Sequence, residues 1–148
     1  MASPLDLVLL VLHITAAASL LGIGMSSPRL LRTAVGAGRE AKCLIAAAIA
    51  KGGQLSGMMS LATLATGLAL IFHRGGFKVV APGIHAAMGL LVLAIVFSFF
   101  FHRPVAQALV AAADKDDAAW NAARKRYLIG DGILNLLWLV ILVLMFVK

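Results

Sequence analysis

The chain has little negative charge, a single cysteine and no catalytic signature. Six Asp+Glu stand against 13 Lys+Arg in 148 residues, for a net charge of +7. With Cys43 alone, no intrachain disulfide can form. No nucleophile–base pair, phosphate-binding glycine loop or dinucleotide fingerprint occurs. No spacing of His, Cys and carboxylates has the pattern of a zinc or copper site. Aromatic residues make up only 7% of the chain and are not interleaved with the basic ones, so no nucleic-acid partner is expected. The opening MASPLD has an acid and no Lys or Arg. It therefore lacks the positive start of a cleaved signal peptide, and the first apolar run is expected to be a retained helix.

Apolar residues, by contrast, are abundant. They make up 62% of the chain, and the mean hydropathy is +1.01. A soluble domain of this size could not hide so much apolar surface, so lipid is its expected solvent. The run from Leu5 to Met25 would make a helix about 30 Å long, the thickness of a bilayer's hydrocarbon core. Further runs predict spans at about 53–72, 82–101 and 127–147. Pro4 suits a first helical turn, and Pro28 predicts the end of the first helix near Met25. Ala41–Ala50 is apolar but too short to span, and reads as an interfacial helix or an extension of the second span. Acids before bases in Asp117 to Arg126 match a helix dipole and predict a helix leading into the fourth span. The expected fold is an all-α integral membrane four-helix bundle, a single transmembrane domain over residues 1–148, with short interfacial helices on the cytoplasmic side.

Charge sets the expected orientation. Arg29, Arg32, Arg39, Lys42 and Lys51 flank the first connection, and Arg103, Lys115, Arg124, Lys125 and Arg126 the third. The opposite side has Arg74, Lys78 and Lys148. Ten against three predicts both termini on the non-cytoplasmic side of the cell (inner) membrane, and basic connections in contact with anionic headgroups.

Histidines in spans are functional candidates because burying one without a partner is costly. His13 lies about a third of the way into the first span, and His85 within about one turn of the outer end of the third. Imidazole ligates haem iron and several divalent metals. His13 and His85 are therefore the candidate cofactor or metal ligands, if their helices are neighbours; the alternative for each is a hydrogen-bonded interior histidine. His73 and His102 read as interfacial. Ser56, Ser60, Thr63 and Gly67 share one helical face and read as a packing seam, with a substrate path as the alternative. Asp131, Asn135 and Trp138 share a face of the fourth helix. Asp131 reads as a structural tether, paired with Arg126 or another base, or as part of a proton relay.

His13, followed by Pro28-Arg29-Leu30, resembles the first helix of the HemJ-type protoporphyrinogen oxidases. The ending, Arg126, then Asp131, then VILVLMFVK, is also similar. A closing Met-x-x-Lys resembles the membrane domain of copper-resistance protein D and its four-helix relatives. The HemJ resemblance implies haem b as cofactor, with His13 as a ligand, in a redox-linked membrane protein. The chain departs from that pattern in two places. Ala87 stands where a lysine follows the histidine of helix three, and Gly130-Asp131-Gly132-Ile133 replaces an Asn-Glu-x-Pro segment. The ligand role of His13 is carried over; the oxidase activity is not. The other functional expectations are a non-catalytic membrane subunit or packing partner, and a copper or small-solute transport component. The lipid bilayer is the expected partner, with a homo-oligomer or a membrane complex beyond it.

Overall fold

A computed structural model describes residues 3–147; Met1, Ala2 and Lys148, the lysine that closes the chain, lie outside them. Every regular element among the described residues is helical. They are α1 (Pro4–Thr33), α2 (Arg39–His73), a 3-10 turn (Phe77–Val79), α3 (Pro82–Phe97), a π turn (Ser98–His102), α4 (Arg103–Ala112) and α5 (Asp117–Leu144). Four helices are long and apolar enough to cross a membrane: α1, α2, the continuous Pro82–Ala112 and α5. Their outer faces carry exposed Leu7, Val8, Val11, Leu93, Phe100, Leu136 and Val143. So much apolar surface turned outward is stable against lipid, not water. This is the make-up of a membrane protein built as a four-helix bundle.

Local chemistry sets the helix ends. Ser3 caps α1, its hydroxyl accepting the Asp6 N–H at 3.1 Å, with Pro4 in the first turn. Asp116 caps α5 in the same way through Ala119 N–H at 2.7 Å. After α2, Gly75 and Gly76 take φ of 110° and 84°. That left-handed backbone lets their N–H groups turn back to the carbonyls of Phe72 and Ile71.

The helices are longer than the apolar runs predict. The stretch before the second span, Arg39 to Lys51, is an extension of α2, and Asp117 to Arg126 runs unbroken into the last span. Pro28 does not end α1, which continues to Thr33. A proline inside a helix leaves the carbonyl four residues earlier without its donor. That carbonyl, on Gly24, accepts instead from Asn135 Nδ2 on α5 at 3.3 Å. Pro104 acts differently. Before it the helix widens into the π turn, where Arg103 N–H reaches back to Ser98.

α1 packs most extensively on α2, and α3 on α5; α5 also touches α1, and α2 touches α3. α1 and α3 are therefore diagonal in the bundle, not neighbours. Two apolar clusters result. One, near the α3 start and α5 end, includes Leu20, Ala87, Leu91, Ala94, Leu134, Trp138 and Ile141. The other gathers the helix extensions at the basic end: Leu31, Ala46, Ile49, Leu109, Trp120 and Tyr127. There Arg39 pairs with Asp114 and Lys42 with Asp117, joining the two basic connections across the bundle end. The Arg39–Asp114 pair is exposed on both sides and adds little stability, on the order of 0–1 kcal/mol.

Candidate functional site

His13 projects from α1 against α2. Its Nδ1 lies 3.0 Å from the Thr63 carbonyl and 3.1 Å from the Thr66 hydroxyl. A carbonyl can only accept, so Nδ1 carries the proton and Nε2 the lone pair. Nε2 has no hydrogen-bond partner among the described residues. His13 forms part of the wall of a cavity of about 290 Å³ together with Leu64, Leu68, Ile84, Met88, Leu91 and Met145. The wall is mostly apolar, and Arg74 is its one cation. Arg74 Nε also donates to Asp6 Oδ1 at 3.3 Å, which fixes it at the α2 end.

Gly67 makes the close approach of His13 feasible. A Cβ at Gly67 would lie 3.1 Å from His13 Cε1. Gly67→Leu should therefore overpack this contact and destabilise the bundle by about 1–3 kcal/mol. A thermal unfolding midpoint in detergent equal to that of the parent chain would show that the face is not packed as described.

Ser60 and Thr63 are buried and Ser56 is half-buried. Their hydroxyls do not bridge helices. Ser60 donates to the Ser56 carbonyl and Thr63 to the Met59 carbonyl, each at 2.8 Å, and Thr66 does the same to Ala62. Back-bonding of this kind satisfies the hydroxyl on its own helix. What meets α1 is the Thr63 backbone carbonyl together with the Thr66 hydroxyl, both against His13 Nδ1.

His85 is exposed. Its Nδ1 lies 3.3 Å from the Ala81 carbonyl one turn earlier, and its ring packs on Phe77 at 5.8 Å between centroids. It is not in the wall of the His13 cavity. α3 reaches that cavity through Ile84, Ala87, Met88 and Leu91, but His85 is on its exposed face, and the two expected ligands are not brought together. His73, as expected, is at a helix end, its Nε2 3.0 Å from Ser3 Oγ.

His102 is buried at 7% exposure, carried in the π turn against the bundle interior. Asp131 is buried too, and its neighbour is not Arg126. Asn135 Nδ2 donates to Asp131 Oδ2 at 3.1 Å, and His102 Nε2 lies 3.8 Å from Asp131 Oδ1. His102 also packs on the Tyr127 ring, at 4.7 Å between centroids. Among the described residues, no cluster of three or more His, Cys, Asp or Glu could hold a metal ion. Comparison with known proteins leaves the chain on its own: no family model, no curated protein and no solved structure matches it.

Proposed function

We propose that this membrane protein binds a flat, apolar cofactor of the b-haem class at His13, in the cavity that α1, α2 and α3 enclose. The observation that carries the reading is the state of the imidazole. Nδ1 is held by the Thr63 carbonyl at 3.0 Å, and Nε2 is left with a free lone pair. Histidine ligands are commonly oriented in this way, with the second nitrogen bonded to a backbone carbonyl. The apolar wall suits a porphyrin face, and Arg74 suits a carboxylate at its edge. His85 takes no part. Met88 and Met145 are the soft side chains in the same wall, and either thioether would be a second ligand of the kind that iron takes beside histidine. A bound haem would supply one-electron redox chemistry. The chain's own part is to fix the ligand's tautomer, exclude water and neutralise a carboxylate. The ten-to-three charge bias supports an orientation with both termini on the non-cytoplasmic side of the cell membrane.

The test is an absorption spectrum of the detergent-purified chain, supplied with haem during expression. A Soret band is expected, and His13→Ala should remove it. Its absence from the parent chain, or its persistence in His13→Ala, would refute the assignment. A second reading also has an observation behind it. The Thr63 bond ties α1 to α2, which is what an interior histidine of a non-catalytic membrane subunit would do. No Soret band in the parent chain, together with a loss of thermal stability in His13→Ala, identifies that case.

A further inference from the structure

A second polar group lies between the two apolar clusters and is separate from the His13 cavity. The side chain of His102 is 8% exposed, and its Nε2 is buried with no hydrogen-bond partner among the described residues. An unmade hydrogen bond on a buried group costs about 1–3 kcal/mol. Asp131 faces it with a side chain 6% exposed. Asp131 Oδ2 is engaged by Asn135, while Oδ1 stands 3.8 Å from His102 Nε2. That gap is too long for a direct bond. Two bonds of about 2.8 Å from a single water do reach atoms so spaced. The room exists as well. A cavity of about 20 Å³ is lined by His102, Asp131, Asn135, Ser27 and Tyr127 among others. One water needs about 10–15 Å³ and two to four polar partners.

The chamber has an approach. A groove of about 260 Å³ between α2 and the π turn carries Gln54, Arg103 and Gln107, and shares Gly53, Ser98 and His102 with the chamber wall. The imidazole thus stands between a mostly apolar groove, in which Gln54, Arg103 and Gln107 supply the polar groups, and a buried carboxylate. The groups that face the pair can be named. Tyr127 and Asn135 come from α5, Ser27 and the Gly24 carbonyl from α1, and Ser56 from α2. Arg103, the next residue in the chain, is on the groove side. Among the described residues no Lys or Arg makes an ion pair with Asp131, so His102 is the one base beside it at short range. A carboxylate held inside an apolar bundle without a base is costly, and a neighbour that can take up a proton relieves that cost.

We propose that His102, Asp131 and one bridging water form a proton-binding site inside the bundle, which exchanges with water at the basic end of the protein along this groove. The balance is simple. A proton arrives from groove water, and an N–H bond forms on the His102 ring. The pair goes from one net negative charge to none, and the bridging water links the imidazolium to the Asp131 carboxylate. Release runs the same way in reverse. No oxidant or co-reactant is needed.

The experiment is nuclear magnetic resonance of the full chain in detergent with 15N-labelled histidine, followed between about pH 4 and about pH 9. The His102 ring is identified by its contact with the Tyr127 ring. It is expected to titrate within that range, and its midpoint should move by about one pH unit or more in Asp131→Asn. The rings of His73 and His85 should be unaffected by that substitution. A His102 ring that keeps one protonation state throughout overturns the proposal, as does a midpoint unchanged in Asp131→Asn. Should Asp131→Asn fail to fold, the parent chain still decides. Its Nε2 signal must show exchange with bulk water and a through-water contact at the bridging position. A dry contact, or a direct bond to Asp131 with no water, overturns the proposal.

Discussion

Replacing Trp120 with alanine should be the most destabilising single change outside the apolar spans, at about 3–5 kcal/mol. Trp120 is 2% exposed and sits among Leu31, Ala34, Ala46, Ile49, Ala106 and Leu109. These residues come from α1, α2 and α4, together with Ala34 just past the end of α1, and Trp120 itself is on α5, so the indole is where the helix extensions meet at the basic end. Small alanines around it leave room for a large ring and cannot collapse into the space once it is gone. Phenylalanine at the same place should cost far less than alanine. It keeps most of the ring volume, and it removes an indole N–H that is buried without a partner among the described residues. Losing an unsatisfied donor offsets part of the lost contact. Unfolding in detergent measures both variants, with Trp138 remaining as the fluorescent reporter. If Trp120→Phe is as damaging as Trp120→Ala, the buried N–H makes a hydrogen bond in the folded protein.

This cluster also marks how far the sequence is legible. The four spans can be read from the length of the apolar runs, because lipid demands about 20 apolar residues per crossing. The basic extensions of α2 and α5 can be read too, from short apolar runs and from acids preceding bases. The proline effects cannot be read locally. Pro28 looks like a helix end, since its missing N–H orphans a carbonyl. What keeps the helix going is an amide on Asn135, more than a hundred residues away in the chain. Pro104 likewise shifts the turn before it by one residue and turns His102 inward, a rotation that helical periodicity does not anticipate. His13 was legible as a candidate because a histidine deep in an apolar run needs a partner. That its partner is a backbone carbonyl on α2 was not, since carbonyls leave no mark in a sequence. His85 is absent from the cavity for a third reason: an almost wholly apolar helix does not say which of its faces turns inward, and Ile84, Ala87 and Met88 take the inner one.

The dependence of α1 on α5 leads to the second large expected effect. Asn135→Ala should destabilise the bundle by about 1–3 kcal/mol through the Gly24 carbonyl alone. It should cost more through Asp131, which loses the only hydrogen bond it makes among the described residues. Gly24 is part of the same device, because a Cβ there would collide with Asn135 Oδ1. The origin of the arrangement is Pro28, and that can be isolated. Pro28→Ala restores an N–H four residues after Gly24, so the carbonyl gains an intrahelical donor and no longer needs Asn135. Taken alone, Pro28→Ala should be neutral or stabilising, since an interior proline is about 3 kcal/mol worse than alanine. Combined with it, Asn135→Ala should lose only the Asp131 part of its effect. The double-mutant cycle therefore predicts a coupling of about 1 kcal/mol or more between residues on different helices. Thermal or denaturant unfolding of the four proteins in one detergent gives the number. Additivity within about 0.5 kcal/mol would mean that Asn135 does not stand in for the missing proline donor. The passage of α1 through Pro28 would then need another cause.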